Sequence, residues 1–293
     1  MKRYIFPLVI LLSAAAPLPA AAAMQNSCTF SQVAALPITF LPGHIPMVTA
    51  TIANQPVHLV LDSGMPGTIL TPAAANRLNL IGARAATADA PISAVTVQTV
   101  TFGSLTVHND NIAISNIGIP PQVDGRVGED VLSKVDIGLD YPDGKIYFYV
   151  PSGCAASQIP WSGSFAPVQF TRAPDLAPMI PYQIDNATLN FIIDTGVERS
   201  FVQQQALDRA KVTPKATRPG PVVILGRGTL PTQLEEFSSV SVGAEEFSDS
   251  WLLAGNSNLP LNFGGVLGND YLMTHKVFIA NSSNTAFFGL SSQ

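Results

Sequence analysis

The chain has 293 residues, of which 47% are hydrophobic and only 12% charged, with a formal net charge of −5. That balance excludes a disordered chain, and the length allows one large or two medium units with proper cores. Lysine is scarce and no basic run or aromatic-basic interleaving occurs, so nucleic-acid binding, which needs clustered Lys and Arg against phosphate, is disfavoured.

The first element is an export signal over residues 1–23. Lys2 and Arg3 form a charged start, Ile5 to Leu12 an apolar core, and Ala20 to Ala23 a small-residue cleavage site. The apolar run is too short to span a bilayer comfortably, and no lipid-attachment pattern precedes Cys28. The mature protein is therefore expected in the periplasm or secreted, with no stable membrane anchor. Cleavage takes the 15 basic residues to 13 against 20 acidic ones, a mature charge near −7. In an oxidising compartment the two cysteines, Cys28 and Cys154, favour a disulfide. It would tie the mature amino terminus to the region between the two halves of the chain; two buried free thiols are the alternative.

The mature chain reads mostly as strands. Met47 to Ile52 and Pro56 to Leu61 are β-rich runs split by a turn at Ala53-Asn54-Gln55. Asp62-Ser63-Gly64 follows. A short helix is predicted from Pro72, with Thr71 as its cap and Pro72 preset for the first helical position. Further strands are expected at Val95–Phe102, Leu105–Val107, Val135–Leu139 and Ile146–Val150. Residues 152–174, rich in Ser, Pro and Gly, read as a connection. Beyond it, Pro181 to Ile184 and Leu189 to Ile193 flank a turn at Asp185-Asn186 and lead to Asp194-Thr195-Gly196. A second helix is expected near Val202, and strands at Pro221–Leu225, Phe237–Val242, Val277–Ala280 and Ala286–Gly289.

The two halves are copies. Shifting the sequence by 132 residues lays Asp62 on Asp194, Asn54 on Asn186, Val60 on Ile192 and Arg77 on Arg209. Farther along, a shift of 140 lays Gly125 on Gly265, Gly128 on Gly268, Asp130 on Asp270 and Phe148 on Phe288. The organisation expected is a first lobe over 24–151, a connection over 152–174 and a second lobe over 175–293.

On these motifs the chain resembles the two-lobed aspartic proteases of the pepsin and retropepsin clan, closer to the retropepsin-like bacterial members. The resemblance covers roughly Pro37 to Leu290. It rests on Asp62-Ser63-Gly64 and Asp194-Thr195-Gly196, with Asp124-Gly125-Arg126-Val127-Gly128 and Gly264-Gly265-Val266-Leu267-Gly268 downstream. It implies an all-β, two-lobed acid-protease fold with an internal pseudo-two-fold duplication, and Asp62 and Asp194 as a catalytic dyad. Two carboxylates sharing one site cannot both ionise, so one accepts a proton from a shared water and the other donates; aspartic proteases are the usual illustration of such a pair. The resemblance also implies that Ser63 and Thr195 lock the opposing loops. Gly64 and Gly196 would permit tight turns, and Gly128 and Gly268 close backbone approach. Flap candidates are Asp89 to Val97 in the first lobe and the Gly226-Arg227-Gly228 tip in the second.

Other residues carry less. Asp130 and Asp270 are read as stabilising helical N-termini. His44, His58, His108 and His275 lack metal-ligand spacing, so no metal or cofactor is expected, and Trp161 and Trp251 are read as packing residues. Three departures from the family stand out. Arg126 occupies a position that is usually apolar and must find a partner or solvent. Met65 follows the first motif where a small residue is common. The stretch from Ile81 to Ser115 holds no Tyr or Trp. The function expected is an exported aspartic endopeptidase acting on peptides or unfolded protein, with a monomer sufficient for the active site. The alternative is a peptide- or partner-binding protein on the same fold that does not cut.

Overall fold

The computed structural model describes residues 27–80, 93–115, 120–173, 177–225, 228–257 and 263–289. The proposed signal over 1–23 lies outside them. Among the described residues, no helix is long and apolar enough to cross a membrane.

In chain order, β1 (Thr29–Pro37) leads into a first lobe of β2 (Thr39–Leu41), β3 (Ile45–Ile52), β4 (Gln55–Leu61), β5 (Ile69–Leu70), β6 (Ser93–Phe102), β7 (Leu105–Ile114) and β8 (Gly125–Val127). Then come β9 (Asp136–Asp140), β10 (Lys145–Ser152) and β11 (Phe165–Gln169). The second lobe holds β12 (Thr171–Arg172), β13 (Pro178–Ile184), β14 (Ala187–Ile193), β15 (Phe201–Gln203), β16 (Ala216–Leu225), β17 (Gly228–Val242), β18 (Glu245–Gly255) and β19 (Gly265–Leu267). The chain closes with β20 (Lys276–Ala280) and β21 (Thr285–Gly289). Among the described residues four short α-helices interrupt this, α1 (Pro72–Arg77), α2 (Glu129–Leu132), α3 (Gln204–Ala210) and α4 (Asn269–Leu272), with a single 3-10 turn at Pro42–His44.

Each lobe is a sheet that curls back on itself. The first runs β2-β3-β4-β8-β5-β7-β6 and closes through β3–β6 pairing; the second runs β12-β13-β14-β19-β15-β18-β17-β16 and closes through β13–β17. The hairpins that begin the two lobes show why. In β3–β4 the turn residues Ala53 and Asn54 both take positive φ, 49° and 60°, a backbone that matches the twist of paired strands. β4 and β14 alternate at first and then become buried on both faces over Leu59–Leu61 and Phe191–Ile193. They have by then entered the lobe interior, beside the parallel strands β8 and β19.

A third sheet, β1-β10-β9-β20-β21-β11, is shared by both halves. Its centre is the antiparallel pair β9–β20, where Gly138 faces Phe278. These two are one another's copies at the 140-residue shift, so the pseudo-two-fold axis passes between them. Gly138 can carry no side chain because the Trp161 ring fills the space a Cβ would take. Trp161 also meets Phe278 edge-on, at 5.6 Å between centroids, and is a packing residue as expected. The described part of the expected connection, 152–173, is more regular than its Ser/Pro/Gly content suggests. It holds β11, which pairs with β21 along Phe165–Gln169, and β12.

Cys28 and Cys154 form a disulfide, which removes the free-thiol alternative. β1 and β10 pair from Thr29↔Ser152 onward, so the ladder itself brings the two cysteines together. The main core runs through both lobes and includes Leu59, Leu61, Phe102, Phe148, Phe191, Ile193, Phe237 and Phe288, all at most 1% exposed. Burial on this scale contributes about 1.5–3 kcal/mol per large side chain, and it fixes the strands that carry the site.

Candidate active site

Both aspartates arrive the same way. β4 pairs parallel with β8, and at its end Asp62 donates its backbone N–H to Val127 O at 3.0 Å. In the second lobe β14 pairs with β19, and Asp194 N donates to Leu267 O at 3.0 Å. The chain then loops over the glycine that ends the downstream strand. A Cβ on Gly128 would lie 2.7 Å from Met65 O, and one on Gly268 2.8 Å from Arg199 C. Neither loop could pack there over a larger residue.

The hydroxyls bind the two loops to each other. Ser63 Oγ donates to Ile193 O at 2.8 Å and accepts from Thr195 N at 3.1 Å. Thr195 Oγ1 donates to Leu61 O at 2.8 Å and accepts from Ser63 N at 3.1 Å. All four bonds are buried and cross the axis, and each hydroxyl uses both its donor and an acceptor site.

The carboxyls meet on the axis. A Cβ at Gly64 would overlap the Asp194 carboxyl, and one at Gly196 would overlap that of Asp62, so each glycine is required by the opposing aspartate. The two carboxyls face one another across the axis, and both residues are under 9% exposed. Burial, and next the charge of Asp62, holds the Asp194 carboxyl well above the usual range; the Gly196 amide, which donates to Asp194 Oδ1 at 2.8 Å, and Arg126 pull it the other way. Arg126 has found its partner in Asp62. Its Nη1 lies 2.7 Å from Asp62 Oδ2, with the Arg126 side chain 18% exposed. Met65 is half-buried at the loop edge, and its carbonyl accepts from Glu129 N at 2.8 Å.

Asp130 and Asp270 lie in the first turns of α2 and α4, but their carboxylates do more than face the helix ends. Asp130 Oδ1 accepts from Thr68 Oγ1 at 2.7 Å, and Asp270 Oδ1 from Ser200 N and Oγ at 2.8 and 2.6 Å. They anchor the aspartate loops to the helices.

Beneath the dyad lies a layer that no sequence motif marks. Asn269 Nδ2 donates to Thr195 O and Val197 O, and its Oδ1 accepts from Tyr141 OH at 2.7 Å. Burial, then the charge of Asp194, pushes the Tyr141 hydroxyl up, so it stays a donor. In the first lobe the copy of Asn269 is Glu129. It pairs with Arg172 Nη1 at 2.9 Å, and Arg172 Nη2 donates to Asn281 Oδ1 at 2.6 Å. Burial pushes Glu129 up to about 7 although Arg172 opposes it. These contacts join residues 43 to 128 positions apart, and nothing local in the sequence signals them.

The flap candidates are described only in part. β16 and β17 pair as far as Leu225↔Gly228. Gly228 thus opens β17, while Gly226 and Arg227 lie outside the described residues. Of the first-lobe candidate, 89–92 also lie outside and 93–97 belong to β6. Among the described residues no group of three His, Cys, Asp or Glu could hold a metal ion.

A paired acid and base on two rigid, mutually bonded loops can activate water between them and protonate the group it attacks. The aspartyl protease family model matches residues 48–132 and 180–271, one stretch in each lobe and more than half of the chain together. No curated protein matches the chain.

Proposed function

Because the chain belongs to the aspartyl protease family, we propose that it is an exported aspartic endopeptidase in which Asp62 and Asp194 share one proton across a catalytic water. The observation that carries this reading is the pair of buried carboxyls on the axis, each lying against the opposing loop's glycine, with burial holding Asp194 well above the usual carboxylate range. The Arg126 guanidinium, 2.7 Å from Asp62 Oδ2, favours Asp62 as the base that takes a proton from water as its oxygen attacks the peptide carbonyl. Asp194 gives its proton to the carbonyl oxygen, where charge develops. Titration belongs to the pair as a unit. The Ser63–Thr195 bonds keep both carboxyls in place without reorganisation during the reaction, and one chain supplies both halves. Export, to the periplasm or beyond, rests on the Lys2–Ala23 signal pattern and on the Cys28–Cys154 bond, which persists in oxidising compartments.

The test is cleavage of a mixed peptide library from pH 3 to 7 by the mature protein beside Asp194→Asn. Acid-favoured cutting that disappears in the variant is the expected result; equal cutting by both would refute the mechanism. One observation favours a second reading, peptide binding without cleavage. Arg126 occupies an oxygen of Asp62 that a catalytic water would also approach. Saturable peptide binding by folded protein that never cuts would establish it.

A further inference from the structure

The duplication supplies an internal control for Arg126. At the 140-residue shift its copy is Val266, and the two occupy the same place in their sheets: Arg126 faces Val60 and Ile69, Val266 faces Ile192 and Phe201. Val266 sits in an apolar cluster with Ile192, Phe201, Val223, Leu230 and Leu253. On the first-lobe side the cluster around Val60 is smaller, Leu41, Met47 and Val123 with Ile45, and a guanidinium stands beside it. One half of the site thus presents a hydrocarbon wall next to the dyad, and the other a cation.

Position makes that cation relevant to substrate. A water held by Asp62 lies one hydrogen-bond length, about 2.8 Å, from the carboxylate and attacks the carbonyl carbon from about 3 Å farther on, while Arg126 Nη1 is 2.7 Å from the same carboxylate. The guanidinium therefore lies at most about 8–9 Å from the reacting carbon, adding two hydrogen-bond lengths to one attack distance. An extended Asp or Glu side chain next to the scissile bond, with its own hydrogen bond, covers that reach. Charge points the same way. Two carboxyls by themselves would make the site repel an acidic substrate; the Arg126 guanidinium beside Asp62 offsets that repulsion. An apolar side chain placed there would strip water from a guanidinium and return no hydrogen bond, which is costly. A carboxylate would return a charge-assisted, bidentate one.

We propose that Arg126 forms a carboxylate-recognising subsite in the first-lobe half of the cleft, directing the protein to peptides with Asp or Glu beside the scissile bond. This rests on the peptidase reading and names its substrate class. A substrate carboxylate shares the guanidinium with Asp62, so engagement of the right peptide loosens the contact that holds Asp62 in the free protein. Substrate recognition and release of the base become one event.

The test compares wild type, Arg126→Val, which installs the residue of the other lobe, and Arg126→Lys, which keeps the charge but not the fork. Peptides differing only by Glu, Gln or Leu on either side of the cut are assayed by kcat/KM, with Asp194→Asn as the uncut control. Wild type should prefer Glu over Gln at one flanking position by at least tenfold. Lys should retain part of that preference, and Val should reverse it toward Leu. Cutting by wild type without any acid preference, or an acid preference that survives in Arg126→Val, overturns the inference and leaves the peptidase reading standing. If wild type cuts nothing, the peptidase reading fails, and anisotropy with the same labelled peptides then decides the subsite by itself. Glu-peptide binding at least tenfold tighter than Gln-peptide binding, and lost in Arg126→Val, upholds carboxylate recognition; equal binding overturns it.

Discussion

Replacing Glu129 by Gln tests whether the layer beneath the dyad is a proton reservoir. Glu129 is 2% exposed and pairs with Arg172, yet burial outweighs that partner and lifts its carboxyl from 4.5 to about 7. The folded protein therefore keeps a proton between pH 4.5 and 7 that the unfolded chain has released. Stability is complete below about pH 4.5 and falls as pH rises through that window, because the folded state binds more protons there. At 1.36 kcal/mol per pH unit the full window amounts to about 3 kcal/mol. For a chain of this size, where 1 kcal/mol shifts the melting midpoint by about 2–4 °C, that is about 6–12 °C. Glu129→Gln cannot ionise. At pH 4 Glu129 is itself neutral in the folded protein and the Gln amide oxygen can still accept from Arg172, so the variant should equal wild type, or fall below it by about 1–3 kcal/mol where that bond is lost, and it should gain on wild type steadily as pH rises to 7.5. Thermal and urea unfolding of both proteins at half-unit pH steps reads this directly. Parallel curves would refute the reasoning, since they would mean that Glu129 titrates alike in both states.

Three further substitutions probe the site and its frame. Gly64→Ala puts a methyl where the Asp194 carboxyl lies; a displacement of about 1 Å should cut kcat/KM by about 100-fold in a protein that still folds by circular dichroism, and undiminished activity would contradict the placement. Ser63→Ala and Thr195→Ala each leave Ile193 O or Leu61 O without its donor, at about 1–3 kcal/mol apiece. Because the two hydroxyls belong to one network, the double variant should lose less stability than the two single losses combined, and strict additivity in urea unfolding would argue against the cross-axis lock. Reducing the Cys28–Cys154 bond, which spans 126 residues, should lower stability by about 4–5 kcal/mol on the chain-entropy account. An unchanged midpoint under reductant would place the constraint elsewhere.

What the sequence reveals follows from where its information is local. The β3–β4 hairpin is written in its alternation and turn, and α1 in its cap: Thr71 Oγ1 accepts from Ala74 N at 3.0 Å. The second helix begins at Gln204 rather than near Val202, because Phe201–Gln203 is drawn into a strand between β18 and β19. β1 and β11 leave little trace. Their pairing energy comes from partners more than a hundred residues away, while Ser, Gln and Pro in their own sequence speak against strand. At the site, duplication makes Asp62, Ser63, Asp194 and Thr195 legible as a set. Arg126 is legible as a charge in need of a partner, but not its partner, which lies 64 residues earlier. Glu129–Arg172 and Tyr141–Asn269 depend on the lobes being docked, and no spacing within one lobe encodes them.

The duplicated frame and the reaction make opposite demands. Two equal lobes deliver two equal aspartates, whereas proton transfer needs one acid and one base. In this chain the difference is built from residues that break the repeat. Arg126 stands where the other lobe has Val266, so a cation reaches Asp62 at 2.7 Å while the second-lobe position stays apolar. One layer down, Glu129 with Arg172 stands where the other lobe has Asn269 with Tyr141. The Tyr141–Asn269 pair, which joins the two halves, is neutral, and the Asn269 amide is spent on the carbonyls of Thr195 and Val197, adding no charge that would favour ionisation of Asp194. Burial then decides, and it holds the Asp194 carboxyl well above the usual range. The backbone symmetry that the four cross-axis bonds enforce is thus compatible with chemical asymmetry, because the bonds hold positions while side chains outside them set charge. On the proposed mechanism, the lobe that carries Arg126 is thereby favoured to supply the base.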